Sequence, residues 1–597
     1  MISPPAPTED LRRYRMHPVL AQILYQRGYT DPDSARTFLY ADDLSAGSFL
    51  NIRGKKPNID RALSRIRVAI RRRERIAIYG DFDADGVTSS VLMAQTLEAL
   101  GANYEVYIPL RAEEGYGLNS EALRKLARSG VRLVITVDCG VRAVEEVADG
   151  NAAGLDIIIT DHHSIGPTIP DAYAVINPKL DDCAYTEDML AGVGVAYRLA
   201  EALLTIDANN RRNGKAAPLV AEDLLDLVAI GTVADLAPMN RSENRALVRR
   251  GLRRINQAPR LGLAALAEVA GLTIGQIDAM NIGFTLGPRI NAAGRLDTAM
   301  TAFDLLASRQ DAQALELAQE LHTLNTQRQE LTRAAQDLVR DRLELEAMDN
   351  LPLIFASDAS FQPGIVGLVA GRLTEEFFRP TVVMEEGDAE SRASCRSIPQ
   401  FDITQALDQC AGLLVRHGGH AQAAGFTVRN ENIDALREQL TRIAREALRG
   451  QDLQPTLQID AELPAEQINI ELAEALRDLE PTGHLNPSPV LVTRRLQVLE
   501  WRTVGRDDQH LKIKFGRQGG PPIDAIAFRM AEWGPHLGAY VDVAYALEIN
   551  EWNGARTAQL NVRDLQPVEV AAVEDPLERA INERTFNKRA AQARNGR

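Results

Sequence analysis

Between Arg75 and Thr160 the sequence alternates between short apolar runs and amphipathic stretches, and this alternation constrains the fold more than any other feature. The runs RIAIYG, YEVYIP, VRLVITVD and LDIIIT have the length of buried strands, and segments with helical spacing separate them. Strands that are joined through helices form parallel sheets with both faces covered. The sequence therefore predicts an α/β domain built on a parallel sheet.

The remaining chain is long enough, within 597 residues, for further domains. LPLIFAS and PTVVMEE indicate a second α/β unit from Leu351, and short β-runs from about Leu457 to Pro567 predict a small barrel of the OB-fold type. Glycine and proline are absent between Thr301 and Leu351, which predicts one long helix, or two nearly continuous ones, bridging domains.

These patterns divide the chain into six predicted segments. They are an N-terminal extension (1–55), the parallel-sheet domain (56–240), a helical segment with the long connecting helix (241–345), the second α/β domain (346–450), an OB-like β-barrel (455–570) and a charged tail (571–597), which we expect to be a loose helix or disordered.

Composition and charge exclude some classes of protein. The net charge of −15 argues against a general nucleic-acid coat, although it leaves room for a local basic groove. No apolar run reaches the roughly 20 residues of a membrane span, and the N-terminus lacks the apolar core of a secretory signal. We therefore expect a cytoplasmic protein.

The sharpest motif is DFDADG, directly after the first predicted strand, with Asp81, Asp83 and Asp85 at alternating positions. One aspartate at this place is explained by a helix N-cap. Three in five residues favour metal binding, because carboxylate oxygens are the ligands that hard divalent cations prefer.

Three further motifs end the apolar runs that follow. Asp138 lies in TVDCG, where a cap and a metal ligand explain it about equally well; Asp161, His162 and His163 lie in TDHH; and Asp235 lies in GTVADLAP. In open α/β sheets such residues meet in the crevice beyond the carboxyl ends of the strands. Together they predict a site for two cations about 3.5–4 Å apart that hydrolyses a phosphodiester.

The motifs DFDADG, VDCG, DHH and Asp235 resemble those of the DHH phosphoesterase superfamily, and RHGGHAQAAGF resembles the glycine-glycine-histidine motif of its DHHA1 domain. IPLRAEEGYGLN, GPRINAAGR and SRASCRS are similar to segments of the RecJ exonucleases within that superfamily. The resemblance spans residues 60–565 in family order. It implies a DHH domain and a DHHA1 domain that the long helix joins, with an OB-fold after them.

The resemblance also implies roles for the motif residues. It makes Asp81, Asp83, Asp138, His162 and Asp235 the ligands of two manganese or magnesium ions, with Asp138 as the bridge. His163 would face the scissile phosphate and stabilise its developing charge, while Asp85 and Asp161 would orient the ligands. Many DHH phosphatases carry a histidine shortly before the first aspartate, whereas this chain has Ala77 and Tyr79 there.

By the same resemblance, a second group of residues would contact nucleic acid. Guanidinium groups grip phosphate oxygens well, although most surface arginines are simply solvated, and a glycine pair is also explained by a turn. Tyr116 suits base stacking or a place in the core. Arg111, Ser394 and Arg396 would bind a 5′ phosphate. Arg289, Asn291 and Arg295 would contact the DNA backbone from a predicted loop. The group also includes Tyr116, Gly418, Gly419 and His420.

In the predicted barrel, basic residues interleave with Trp501 and Phe515, a pattern that suits single-stranded nucleic acid. The implied activity is a 5′–3′ exonuclease on single-stranded DNA, acting in repair and recombination as a monomer, with a helicase or a single-strand-binding protein as partner. Two alternatives remain: a phosphodiesterase for short oligonucleotides or cyclic dinucleotides, and a non-catalytic replication or repair scaffold.

Overall fold

The computed structural model describes residues 8–40, 58–181, 183, 189–210, 218–344, 351–517, 519–552 and 554–568, so the predicted charged tail lies outside the described residues. The chain divides into two compact units. The larger unit comprises 40–455 and 481–487, and the barrel unit comprises 1–39, 456–480 and 488–597. Among the described helices, none combines the length and apolar character needed to cross a membrane.

Three short helices come first in the described chain and belong to the barrel unit. They are α1 (Thr8–Arg13), α2 (Pro18–Gln26) and α3 (Pro32–Tyr40).

The larger unit contains the parallel sheet that the strand and helix alternation predicts. Its strands are β1 (Arg75–Gly80), β2 (Asn103–Tyr107), β3 (Val131–Val137), β4 (Asp156–Thr160) and β5 (Ala174–Ile176). They lie in the order β2-β1-β3-β4-β5, and every neighbouring pair is parallel.

Both faces of this sheet are covered. Ile76 and Ile78 of β1 face one hydrophobic core, while Ala77 and Tyr79 face another. The aspartates and histidines of the sequence motifs follow the carboxyl ends of these strands, at the edge where ligands bind in such sheets. The helices of this part are α4 (Asn58–Arg72), α5 (Ala84–Ala99), α6 (Arg111–Glu114), α7 (Ser120–Arg128) and α8 (Val144–Ala152).

A helical region follows the parallel sheet. The segment predicted as one long helix or two nearly continuous ones consists of two helices. The first ends before Ser308, which has an extended backbone (φ −59°, ψ 142°), and a 34-residue helix follows it. The helices are α9 (Gly192–Asn210), α10 (Leu225–Ala234), α11 (Ser242–Gln257), α12 (Leu261–Val269), α13 (Ala279–Asn281), α14 (Gly287–Leu296), α15 (Met300–Ala307) and α16 (Asp311–Glu344).

The second sheet is mixed. Its strands are β6 (Ile354–Asp358), β7 (Thr381–Glu385), β8 (Glu390–Arg396), β9 (Leu414–His420) and β10 (Ala423–Arg429), in the order β6-β7-β8-β10-β9. Only the β6–β7 pair is parallel. Three helices belong to it, α17 (Val366–Phe377), α18 (Ile403–Asp408) and α19 (Ile433–Ala447).

The barrel unit contains a closed five-stranded barrel, as the OB-fold prediction requires. After α20 (Ile470–Arg477), its strands are β12 (Leu491–Val504), β13 (His510–Gly516), β14 (Ile523–Ala527), β15 (Tyr540–Trp552) and β16 (Ala555–Pro567), with β11 (Ala461–Glu462) beside β12. The order β12-β13-β14-β16-β15 closes because β15 also pairs with β12.

The N-terminal helices complete the core of the barrel unit. Leu24 and Phe38 are buried in the same hydrophobic cluster as Phe515 and Tyr545 of the barrel strands. The Tyr14 hydroxyl donates a hydrogen bond to the carbonyl of Tyr29, which joins the turn after α1 to the loop between α2 and α3. Residues that the sequence suggests only as an extension therefore share a core with a domain more than 400 positions away.

We predict that Leu24→Ala destabilises the barrel unit by about 2–5 kcal/mol, the usual effect of truncating a fully buried leucine. All three tryptophans, Trp501, Trp533 and Trp552, lie in the barrel unit, so tryptophan fluorescence during urea unfolding reports on that unit. Arg36 is exposed on the neighbouring helix α3, and Arg36→Ala is the control. Equal midpoints in the two variants would contradict a shared core.

Candidate metal centre

Three aspartates follow strand β1, and each has different surroundings. Asp83 caps helix α5, since its side chain accepts hydrogen bonds from the amides of Asp85 (2.9 Å) and Gly86 (3.1 Å). The buried Asp85 accepts from the amides of residues 192 (2.7 Å) and 193 (2.8 Å) at the start of α9. Asp81 is also buried, and its Oδ1 has no hydrogen-bond partner among the described residues. Capping therefore accounts for only one of the three.

Asp138 follows strand β3 in a strained conformation. Its φ is 63°, in the left-handed region that non-glycine residues seldom adopt. A Cβ at Gly192 would lie 2.5 Å from Oδ1 of Asp138, so glycine is needed for the start of α9 to approach this carboxylate. Asp138 is 2% exposed, and Oδ1 lacks a hydrogen-bond partner in the described chain.

Asp161 organises the two histidines that follow strand β4. Its carboxylate accepts hydrogen bonds from the amides of Val141 (2.8 Å), His162 (2.7 Å) and His163 (3.0 Å). Oδ1 also lies 2.8 Å from Nδ1 of His163. The orientation of His163 is thus fixed by Asp161, as expected of a residue that positions its neighbours.

His162 lies among the carboxylates. Its Nε2 is 3.1 Å from Oδ1 of Asp138 and 3.9 Å from Oδ2 of Asp85. Its Nδ1 is 3.8 Å from Oδ2 of Asp235. Asp235 differs from the other clustered residues in its position on the chain, because it follows helix α10 and not a strand. The next residue, Leu236, has a φ of 58°.

The side chains that the sequence motifs single out form three overlapping groups in space. In each group the ligand atoms lie within 4.8 Å of one another, and Asp138 and His162 each belong to two groups. The groups are Asp81, Asp83 and Asp138; Asp138, His162 and His163; and Asp85, His162 and Asp235.

Burial makes this arrangement electrostatically unfavourable for the protein alone. Burial, and then the neighbouring carboxylates, raise the pKa of Asp85 to about 7 and the pKa values of Asp81, Asp138 and Asp235 well above their usual range. Burial lowers the pKa of His162 to about 3, which leaves its imidazole neutral. Within the described chain, Oδ1 of Asp81, Oδ1 of Asp138 and Nε2 of His162 form no hydrogen bond, although the last two atoms lie 3.1 Å apart. Carboxylate oxygens with a neutral imidazole are a donor set that fits manganese or magnesium.

Several arginines collect beside the carboxylates. The Arg111 guanidinium lies 5.0 Å from the centre of the Phe82 ring. Burial, and then Arg111 and other cations, lower the pKa of Arg295 to about 10, and burial also lowers the pKa of Arg396. Arg396 donates a hydrogen bond to the Ser394 hydroxyl (3.2 Å). Half-buried cations that repel one another would be stabilised by an anion between them.

The loop predicted for Arg289, Asn291 and Arg295 is wrong, since all three lie on helix α14. The motif contains two glycines, which suggest a loop, but Gly294 is needed because a Cβ there would lie 2.2 Å from the carbonyl oxygen of Phe82. Helix α14 therefore packs tightly against the aspartate turn, and Asn291 Oδ1 accepts a hydrogen bond from the amide of Ala84 (2.7 Å).

Sequence reasoning missed Arg328 on α16. Burial, and then Arg372 and Arg289, lower its pKa, so it extends the set of crowded cations. Its Nη2 donates to Oδ1 of Asn325 (2.9 Å). Nothing in the pattern of a long polar helix distinguishes this arginine from its solvated neighbours.

Tyr116 is at the surface, so the core alternative is wrong. It is 58% exposed, and its hydroxyl lies 3.1 Å from Nε2 of His163. Its ring meets that of Phe82 edge to face, with centroids 6.3 Å apart.

The glycine pair forms part of a strand, and a simple turn is therefore wrong. Gly418, Gly419 and His420 lie on edge strand β9. A Cβ at Gly419 would lie 2.4 Å from the carbonyl oxygen of Ala423 on the paired strand. His420 lines, with Tyr116 and His163, a cavity of about 250 Å³.

The basic and aromatic residues of the barrel strands belong to the other unit. Acidic partners neutralise some of the basic side chains. Phe515 is fully buried, so a stacking role for it is wrong, whereas Trp501 is 42% exposed. Arg494 and Lys514 form ion pairs with Asp542 (2.6 Å) and Glu500 (2.7 Å).

Known proteins resemble this chain along most of its length. Family models match residues 75–232 (DHH family, N-terminal domain), 350–446 (DHHA1 domain) and 459–564 (RecJ OB domain). The single-stranded-DNA-specific exonuclease RecJ of Bacillus subtilis (strain 168) is 37% identical over 551 residues, which are 92% of this chain and 68% of that protein.

Crystal structures of RecJ from Thermus thermophilus show the same fold. The complex with Mn²⁺ has a TM-score of 0.78 and 30% identity and covers 95% of this chain and 79% of its own. The complex with Mg²⁺ has a TM-score of 0.73 and 29% identity, with coverages of 95% and 78%. Because the three family models and a relative of this similarity agree, the chain belongs to the family of RecJ single-stranded-DNA-specific exonucleases.

Proposed function

We propose that this chain is a metal-dependent exonuclease that hydrolyses single-stranded DNA from its 5′ end and releases 5′-mononucleotides. The observation that carries the proposal is the buried set of carboxylates and one imidazole, whose unpaired atoms lie beside a cluster of arginines. Carboxylates for cations next to guanidinium groups for phosphate suit phosphodiester chemistry. Membership of the RecJ family supports single-stranded DNA as the substrate.

In this proposal two divalent cations, Mn²⁺ or Mg²⁺, are bound by a common set of residues. Asp138 would be the ligand that both cations share, because it belongs to two of the three ligand groups and, unlike His162, which also belongs to two, it is an anion with two oxygen atoms. Bound cations of this kind supply Lewis acidity toward a phosphoryl group and a more acidic water. The proposed ligands are Asp81, Asp83, Asp138, His162 and Asp235.

His163 acts on the substrate. Although burial lowers it, the hydrogen bond to Asp161 and the nearby carboxylates raise the pKa of His163 above its ordinary value. A protonated His163 donates a hydrogen bond to the scissile phosphate as negative charge develops there. Asp161 holds the ring in place, and Asp85 fixes the start of α9 through two amides. Asp85 and Asp161 are thus positioning residues.

The arginine cluster defines the 5′ polarity. Arg111, Ser394 and Arg396 bind the terminal phosphate, because burial lowers the pKa values of both arginines and a phosphate would compensate their charge. The Ser394 hydroxyl, which accepts a hydrogen bond from Arg396, lies beside that charge. Tyr116 stacks on a base beside His163. The strand is held further by Arg289, Asn291, Arg295, Gly418, Gly419 and His420.

Family membership also supports the cellular setting that we propose. The enzyme acts in DNA repair and recombination in the cytoplasm, as a monomer, and a helicase or a single-strand-binding protein supplies its substrate. This setting does not enter the chemistry of the site.

End-labelled oligonucleotides test the activity. With Mn²⁺ and a long single strand, a 5′ label should appear as mononucleotide from the first time point, whereas a 3′ label should pass through progressively shorter strands. Cleavage confined to short oligonucleotides or cyclic dinucleotides would replace our proposal with the small-substrate alternative. Absence of any hydrolysis with either metal would favour a scaffold.

Asp138→Asn should lower turnover by at least about 100-fold, the upper end of the effects seen for residues that only orient metal ligands. The substitution keeps the shape and removes the charge that the two cations share. Glu145→Gln, at an exposed position of α8, is the control. Turnover of Asp138→Asn within about tenfold of the wild type would refute the bridging role.

The same variant should be more stable than the wild type when EDTA removes metals. Because the folded-state pKa of Asp138 is raised by burial and by neighbouring carboxylates, the native state binds this proton more tightly than the unfolded chain. The wild type therefore loses stability as the pH rises above about 4, and asparagine does not. The gain in Tm should be larger at pH 8 than at pH 5, and an equal gain at both would contradict the clustering of charges.

Arg396→Gln should raise KM about 10- to 100-fold for a 5′-phosphorylated strand, which corresponds to one hydrogen bond to a charged group. A 5′-hydroxyl strand should be affected little. Arg392 is exposed on the same strand, so Arg392→Gln is the matched control. If Arg396→Gln raises KM equally for the 5′-phosphorylated and the 5′-hydroxyl DNA, this arginine does not bind the 5′ phosphate.

A further inference from the structure

A short turn from the C-terminal part of the chain lies inside the larger unit. Residues 481–487 belong to the larger unit, although the chain on both sides of them belongs to the barrel unit. Gly483 and Asn486 exchange backbone hydrogen bonds (2.9 and 3.1 Å), and the buried Asn486 side chain donates to the carbonyl of Pro481 (2.9 Å). The turn is therefore an ordered element with its own internal bonds.

This turn holds Met239. The Met239 amide donates a hydrogen bond to the carbonyl of His484 (2.7 Å). Arg245, which is 0% exposed, donates from Nη1 to the carbonyls of Pro481 (3.1 Å) and Met239 (3.4 Å). The buried guanidinium thus ties the turn and Met239 together. Gly483 completes the contact, since a Cβ there would lie 2.9 Å from Cγ of Met239.

Met239 lies in the loop that begins at Asp235 and precedes helix α11. Within this loop, Leu236 has a left-handed φ of 58°, and the side chain of Asn244 donates to the carbonyl of Pro238 (3.1 Å). A strained loop keeps its conformation only when several contacts determine it. The other proposed ligands follow strands of one sheet, whereas Asp235 ends a helix and needs separate support.

We propose that the turn at 481–487 is a positioning element of the metal centre, which fixes Asp235 through Met239 and Arg245. The inference rests on the proposed function, in which Asp235 is a metal ligand. In this role the turn tunes the affinity for the cation that Asp235 would hold.

Gly483→Val in the full-length protein tests this role. The backbone at Gly483 is not left-handed, so the added side chain acts by displacing Met239. Mn²⁺ alone, titrated calorimetrically, should bind about tenfold more weakly at one site, the lower end of the loss usual for outer partners of a metal ligand. The Mn²⁺ concentration for half-maximal hydrolysis should rise equally, while the rate at saturating Mn²⁺ stays within about twofold.

Two companion variants sharpen the comparison. Leu485→Asn changes an exposed side chain of the same turn at a φ of 56°, which asparagine tolerates, and should leave Mn²⁺ affinity unchanged. Gly483→Ala adds only the Cβ and should give a smaller shift of the same kind, should the valine variant not fold. Hydrogen exchange should accelerate in the peptide containing residues 235–241 of the Gly483 variants.

The outcomes separate the inference from the proposed function. If Asp235→Asn weakens Mn²⁺ binding but both Gly483 variants bind Mn²⁺ like the wild type, the positioning role is wrong and the metal site stands. If Asp235→Asn itself leaves Mn²⁺ affinity unchanged, the ligand assignment of the proposed function is wrong. A loss of rate that saturating Mn²⁺ does not restore would also overturn the positioning role.

Discussion

Mutual repulsion among buried carboxylates is the constraint on which the site depends. Asp81, Asp85 and Asp138 are buried where water screens them little, Asp235 lies half-buried beside them, and the pKa values of all four rise. The fold sustains this arrangement through packing that leaves the side chains little freedom. Gly192 admits the start of α9 against Asp138, and Asp138 itself is held with a positive φ. Strain of this kind is typical of sites where an ion compensates the charge.

The arginines provide the opposite charge a short distance away. The chain has a net charge of −15, yet burial lowers the pKa values of Arg111, Arg295 and Arg396, and repulsion by Arg111 lowers those of Arg295 and Arg396 further. Fixed cations that repel one another are stabilised by a phosphate, and in the proposed function the metal ions held by the aspartates would bind the neighbouring phosphate of the strand. Local placement of charge, and not the overall charge, therefore accounts for the recognition of a polyanion.

Much of the fold and of the site could be predicted from the sequence. Residues that directly follow the strands of a parallel sheet lie at the same edge of that sheet. The motifs of Asp81, Asp138 and His162 therefore predict that these three side chains lie close together. Asp235 was also found from its apolar run, although it ends a helix. Local pattern failed where tertiary packing decides: α14 is a helix despite two glycines, because Gly294 lies against the Phe82 carbonyl.

Long-range contacts also escaped the sequence. No local signal in residues 8–40 shows that Leu24 and Phe38 are packed with the barrel strands, and Arg328 looks like any other arginine of a polar helix. The turn at 481–487 contains only ordinary turn residues, and its amide contact joins Met239 to His484, far apart in the chain. Such contacts are set by the three-dimensional core, which periodicity does not encode.

The central claim is that the clustered carboxylates and His162 bind a pair of cations. Anomalous diffraction at the manganese absorption edge, from crystals of the protein grown with Mn²⁺, tests it most directly. The account predicts two peaks about 3.5–4 Å apart, with the Asp138 carboxylate in contact with both. A single peak, or two peaks that Asp138 does not join, would contradict it.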